Sequence, residues 1–432
     1  MKKIDSIIFH LSIFIVAIGF LISILTAGGK EKPVASKQQE NTLNQVLTND
    51  LSNVKELYGM DEGIRNYLRT WGIQGASLSI IRNDSLVYSK GYGWANKEKA
   101  LLMEPGNILR IASVSKLITA TGIMVLQERG LLHLRDTVFG PHGILNDTTY
   151  SNVIRDKNYY KITVEQLLRH EAGFTRRYGD PMFSTRYVIL QNHLNQAPDQ
   201  NTLVRCTLKH PLSYTPGASK YYSNFGYLLL SMIIEKVSGT DYQSFIQENV
   251  LHPAGCEDMQ IASNYYKYKY DNEVKYYVQS NEDAVYEYNN SGHLVERCYG
   301  GNDITGLSGA GAWVASTPEL ARFVASIDGR PGITDIISAK SVKEMTQWFD
   351  EKTYSLGWID TKPTGEWTRT GTFSGTSALV KYYPDGECWI LVTNTSTWKG
   401  PSQTKYTAAL FNSSRAKYSA LLPKKNLFNY CK

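Results

Sequence analysis

The sequence predicts an α/β fold of the α+β sandwich type, an antiparallel sheet flanked by helices with a helical subdomain inserted between its strands. Three observations predict it. Strand-like runs lie toward both ends of the 432-residue chain, at 76–94 and 378–392. Long apolar helical patterns fill the middle, at 115–129 and 225–237. No internal repeat divides the sequence, so the two sets of strands read as one sheet rather than two.

Each element has a local cause. The run 61–71 reads as a helix. Runs 76–81 and 86–91 flank Asn83-Asp84, a hairpin signal. Helix 115–129 ends at Gly130, which suits the left-handed residue after a helix. Thr163-Val164-Glu165-Gln166 forms a capping box ahead of Leu167-Leu168. The apolar helix 225–237 closes at Gly239, and a helix over 318–327 takes Thr317 as its N-cap. Strands 378–383 and 389–392 flank Pro384-Asp385-Gly386, a turn signal. Residues 402–421 read as a final helix. One domain over 51–425 follows, with its sheet from about 51–112 and 305–425 and its helical subdomain from about 113–304. Tyr266-Lys267-Tyr268-Lys269-Tyr270 alternates with strand period and reads as an exposed, Tyr-faced ribbon; the other reading is an aromatic rim on a cleft.

Composition narrows the class. The net charge of +6 is small and spread along the chain, which points away from nucleic acid. Residues 1–29 hold Met1-Lys2-Lys3 and a nearly all-apolar run from Ile7 to Ala27, and read as a signal peptide or a membrane anchor. Residues 30–50 are polar and read as a tether. These features place the protein outside the cytoplasm: periplasmic, membrane-anchored or secreted, touching the membrane through its N-terminal segment. The five cysteines are far apart and the eight histidines scattered, so neither a metal nor a cofactor is expected.

The chemistry starts from Ser113-Val114-Ser115-Lys116. A serine at a helix start and a lysine three residues on share one helical face. Burial lowers a lysine's pKa enough to take or relay the serine proton, and the helix N-terminus favours the negative charge that develops on a substrate. The same spacing occurs at Ser52/Lys55, Ser396/Lys399 and Ser414/Lys417. Only Ser113 follows a strand and a turn and opens an apolar helix. Tyr222-Ser223-Asn224 raises a parallel choice, because Tyr150-Ser151-Asn152 repeats it. The first copy follows Thr215-Pro216-Gly217 and leads into an apolar helix; the second lies in a polar stretch and reads as a solvated loop.

Residues 107–138 around Ser113-Lys116 resemble the serine β-lactamase and penicillin-binding-protein superfamily, and most closely its class C β-lactamase-like branch. The stretches 162–174, 215–255 and 309–324 resemble that branch's later landmarks in the same order. The resemblance covers about 60–422 and implies the fold, with Ser113 as nucleophile and Tyr222 as general base or relay beside Lys116. It also implies that Asn224 orients Lys116 and the substrate carbonyl. The third motif of the family is Lys-Thr-Gly or His-Thr-Gly; here it is Arg369-Thr370-Gly371. By resemblance Arg369, Thr370, Gly371 and Thr372 bind substrate, the N–H groups of Ser113 and Thr372 form an oxyanion hole, and Gly371 lets substrate approach the strand. Arg369 keeps a positive charge able to clamp a carboxylate, but unlike Lys or His it does not give up a proton. Glu171-Ala172-Gly173 also departs from the family, which has small hydroxyl residues there. His170, at the start of that turn, reads as structural.

The resemblance implies a monomeric serine hydrolase acting through an acyl-enzyme on an ester, amide or D-amino-acid peptide bond of a small-molecule or peptidoglycan-like substrate. Three other readings stay open: a class C β-lactamase, an acyltransferase to an alcohol or amine, and a slow-turnover penicillin-binding or sensing module.

Overall fold

The computed structural model describes residues 42–174, 177, 179–279, 284–350 and 353–431. The expected signal or anchor segment and residues 30–41 of the expected tether lie outside them.

Seven strands form the main sheet: β1 (Gly75–Arg82), β2 (Ser85–Asn96), β3 (Leu101–Leu102), β4 (Asp360–Thr361), β5 (Trp367–Phe373), β6 (Thr376–Tyr382) and β7 (Glu387–Thr393). Their spatial order is β4-β5-β6-β7-β1-β2-β3, so N-terminal and C-terminal strands meet where β1 pairs antiparallel with β7. Leu78 faces Leu391 and Ile80 faces Trp389 across that seam. The β1–β2 hairpin turns at Asn83 and Asp84, which hold φ of 46° and 59°. Two successive positive φ values give a two-residue turn whose twist matches the sheet, and Asn and Asp tolerate them.

Helices cover both faces. On one side lie α1 (Tyr58–Trp71) and the C-terminal helix Gln403–Tyr418. Met60, Ile64, Tyr67 and Leu68 of α1 and Phe411 of the latter pack against Leu78, Ile80, Trp389 and Leu391. On the other side are α2 (Ser115–Glu128), α3 (Asn224–Ser238) and α4 (Thr317–Ala325). Helix α2 is buried continuously from Ser115 to Leu126, hence its lack of an exposed polar stripe. Helix α3 ends at Gly239 with φ of 72°. The Thr163–Gln166 capping box is formed in both directions.

Four expectations are corrected. The N-cap of α4 is Ser316, whose hydroxyl accepts the Glu319 N–H; Thr317 is inside the helix, and its hydroxyl meets Ser77 and Ser79 of β1 at 2.7 and 2.9 Å. The described part of the expected tether is packed against the domain: Leu43 and Leu47 are buried, and the Asn49 side chain accepts from Gly91 N–H and donates to Met103 O. The Tyr266–Tyr270 stretch is no strand. It holds a 3-10 turn over Tyr266–Tyr268, with Tyr266 and Tyr270 packed on the core and Tyr268 exposed. Tyr150 is not in a solvated loop; it is 3% exposed in the short helix Thr148–Ser151, edge-on to Phe139 and bonded to Asn201. In both last cases contacts distant in sequence override the local pattern.

Candidate active site

Ser113 sits in the 3-10 turn Ala112–Val114, which runs directly into α2. Ala112 holds φ of +47°, a left-handed conformation costing about 1–3 kcal/mol for a residue with a Cβ. The neighbouring chain holds it there. Ser115 Oγ donates to Ala112 O at 2.6 Å and accepts the Trp313 N–H at 3.2 Å, while Ile111 N–H donates to Trp313 O at 3.0 Å. Ala112 and Val114 are buried, and Ser113 between them is partly exposed.

Lys116 lies one helical turn on and is fully buried. Its Nζ donates to Ser113 Oγ at 3.1 Å, Asn224 Oδ1 at 2.8 Å and Ala310 O at 2.5 Å. Burial foremost brings its pKa down to about 8, with the Arg369 charge adding and Tyr222 opposing. The Lys116 ammonium also lies 4.9 Å from the Tyr222 ring centroid. Burial alone would raise the Tyr222 phenol, but the Lys116 and Arg369 charges outweigh it and bring it down to about 8. Two neighbouring groups drawn to the same pKa exchange a proton at little cost.

Arg369 is not where a substrate clamp would be. Its side chain is 1% exposed; Nε donates to Ser113 O at 2.7 Å and Nη2 to Tyr222 Oη at 3.0 Å. The expected bidentate hold on a substrate carboxylate is therefore corrected: two guanidinium nitrogens are already engaged, and the third, Nη1, is buried without a protein partner among the described residues. The role expected of Gly371 changes too. A Cβ there would lie 2.3 Å from Ile111 O and 3.0 Å from Ser113 N. What approaches the strand so closely is the backbone of the 111–113 turn that carries Ser113. Thr370 and Thr372, on either side of Gly371 in β5, are both partly exposed.

Tyr222 and Asn224 arrive together at the start of α3. Ser223 Oγ caps the helix by accepting the Gly226 N–H at 3.1 Å. The Ser223 N–H donates to His170 Nδ1 at 3.1 Å, which leaves the His170 proton on Nε2. Burial first, then the Lys116 and Arg369 charges, holds His170 well below the ordinary histidine range. This neutral ring packs against Tyr222 with the centroids 4.4 Å apart and the planes tilted by 34°. The departing Glu171-Ala172-Gly173 turn serves the backbone: Gly173 holds φ of +89°, and a Cβ there would meet Tyr214 O at 2.3 Å.

Sequence reasoning missed Asp180. Asn224 Nδ2 donates to its Oδ2 at 2.8 Å. No spacing rule links residues 44 positions apart. Thus Ser113, Lys116, Tyr222, Asn224, Arg369 and Gly371 converge, while the rival Ser52 hydroxyl accepts the Ser89 N–H and Tyr150 lies in another part of the core.

A family profile described as Beta-lactamase matches residues 60–412. The chain belongs to the beta-lactamase family. It is an enzyme of the serine hydrolase type that this family comprises. A Bacillus subtilis (strain 168) protein named as the penicillin-binding protein PbpX is 25% identical over 366 residues, covering 84% of this chain and 78% of that one. An Escherichia coli O157:H7 protein named as a D-alanyl-D-alanine carboxypeptidase is 27% identical over 351 residues, 77% of each chain. Among solved structures, an octameric penicillin-binding protein homologue from Pyrococcus abyssi superposes with a TM-score of 0.61 at 23% identity, covering 85% of this chain and 78% of that one. A D-amino acid amidase from Ochrobactrum anthropi SV3 superposes at 0.62 with 18% identity, covering 83% and 99%. These two structures share the fold.

Proposed function

We propose that this beta-lactamase family member forms an acyl-enzyme on Ser113 and cleaves an ester, amide or D-amino-acid peptide bond outside the cytoplasm. The observation that carries the reading is the buried Lys116 amine, 3.1 Å from Ser113 Oγ and lowered to about 8. The Lys116–Tyr222 pair takes the Ser113 proton as Oγ attacks the carbonyl. The oxyanion that forms is held by the N–H groups of Ser113 and Thr372, worth about 10²–10³-fold per donor. Tyr222 then returns the proton to the departing amine or alcohol, so the proton path avoids Arg369, whose part is to lower the Tyr222 phenol and brace the Ser113 carbonyl. Water reverses the sequence and frees the enzyme. A largely apolar cavity lined by Phe174, Tyr187, Val188 and Tyr221 opens beside Tyr222 and suits an apolar substituent on the substrate. The basic, apolar start of the chain supports export. Among the described residues no helix is long and apolar enough to cross a membrane.

Intact mass spectrometry tests the proposal with a fluorophosphonate, a p-nitrophenyl ester and a penicillin. One adduct is expected on wild type and none on Ser113→Ala, with Ser115→Ala still labelled. An adduct on Ser52, Ser396 or Ser414 would remove Ser113 from the role. The lifetime of the penicillin adduct separates turnover from slow sensing.

A further inference from the structure

The Asn224 amide lies between two groups of opposite character. Its Oδ1 accepts from Lys116 Nζ at 2.8 Å, and its Nδ2 donates to Asp180 Oδ2 at 2.8 Å. An amide can rotate by half a turn and exchange its oxygen and nitrogen. Here the rotated form would set NH₂ against the Lys116 ammonium and the amide oxygen against a carboxylate, two repulsive pairs in place of two charge-assisted bonds. A carboxylate has no donor, so it admits only one of the two orientations.

Asp180 is itself held. Its Oδ1 accepts the Met182 N–H at 3.1 Å, and its backbone oxygen accepts the Phe183 N–H at 2.9 Å. Phe183 then packs 5.8 Å from Phe373, the residue after Thr372 on β5. The turn 180–183 thus reaches across the cleft: one end touches the residue that faces Lys116, the other rests on the strand that carries Thr372.

We propose that Asp180 is a positioning residue, fixing the Asn224 amide with its oxygen toward Lys116 and supplying the negative charge that balances this arm of the site. The proposal rests on the reading of Ser113 as nucleophile only for its effect on rate. The groups that face Lys116 are Tyr222, Arg369 and His170 as well as Asp180. Of these, Arg369 lowers the lysine and Asp180 raises it. Loss of the carboxylate therefore moves the titration of the Lys116–Tyr222 pair to lower pH.

Asp180→Ala removes both the hydrogen bonds and the charge. Asp180→Asn keeps the shape, but its amide can satisfy Asn224 Nδ2 or the Met182 N–H, not both. Two measurements are made on each folded variant: Ser113 acylation by a p-nitrophenyl ester across pH, and titration of the Lys116 side chain by NMR in a Ser113→Ala background. Acylation at neutral pH is expected to fall about 10²-fold in Asp180→Ala, the cost of misplacing a reacting arm by about 1 Å, and less in Asp180→Asn. In both, the rise of rate with pH and the Lys116 titration shift to lower pH. Wild-type rate and an unmoved Lys116 titration in both variants would overturn the proposal. If Ser113 never acylates, the nucleophile reading fails by itself; the NMR titration then decides the Asp180 proposal alone, a downward shift supporting it and no shift ending it.

Discussion

Replacing Gly371 by alanine perturbs the site through one methyl group. The added Cβ would lie 2.3 Å from Ile111 O, 3.0 Å from Ser113 N and 3.2 Å from Ala112 Cβ. The shortest of these falls about 1 Å inside ordinary van der Waals contact. All three neighbours are backbone or a Cβ, so no flexible side chain can swing aside. Either β5 moves away from the 111–113 turn, or the turn moves and takes Ser113 with it. The first widens the gap between the Ser113 and Thr372 N–H groups; the second disturbs the Arg369 Nε bond to Ser113 O. A displacement of about 1 Å in either direction costs about 10²-fold in rate, and forcing a methyl into a filled contact costs about 1–3 kcal/mol of stability. Pre-steady-state acylation by an activated ester, with thermal unfolding as control, reads both. A Gly371→Ala enzyme that acylates at the wild-type rate would show that the strand does not set the position of Ser113.

Three further outcomes are expected. Tyr222→Phe lowers acylation by about 10²–10⁴-fold. It also deprives buried Arg369 Nη2 of its acceptor, at about 1–3 kcal/mol; wild-type acylation would take Tyr222 out of the mechanism. Tyr150→Phe does the reverse, losing about 1 kcal/mol with its Asn201 bond while acylation is unchanged, as thermal unfolding and the same ester assay will show. The Asp328 carboxyl is raised to about 7 by burial foremost and by the Asp84 carboxylate, so between about pH 4 and pH 7 the folded chain holds a proton that the unfolded chain lacks. Stability from this group is full at the acidic end and lost as pH rises through about 7. In Asp328→Asn the thermal midpoint should fall less between about pH 5 and pH 8, and an identical slope would refute the assignment.

Much of this protein is written locally. A two-residue Asn-Asp turn, a Thr-x-x-Gln box, a glycine after α2 and after α3 and a serine with a lysine one turn on are determined within a few residues. Their geometry is that of a single turn, which the chain adopts with little help from elsewhere. The sheet joining both ends of the chain was legible for a related reason, because β1 and β7 each carry an unbroken buried run. The site's second half was not. Whether Arg369 meets substrate or the Ser113 carbonyl depends on where β5 comes to rest against the 111–113 turn, and only packing decides that. Tyr150 and Tyr222 sit in the same tripeptide; one is closed into the core by Phe139 and the other is brought beside Lys116 by the start of α3. Asp180 carries no signal of its own, since its part follows from meeting Asn224 across a fold that both residues reach from separate turns. The sequence by itself determined the turns, the Thr163–Gln166 capping box and the serine–lysine pair, because those are short-range. The tertiary structure alone decided which buried charges face one another, because that depends on distances between segments far apart in the chain.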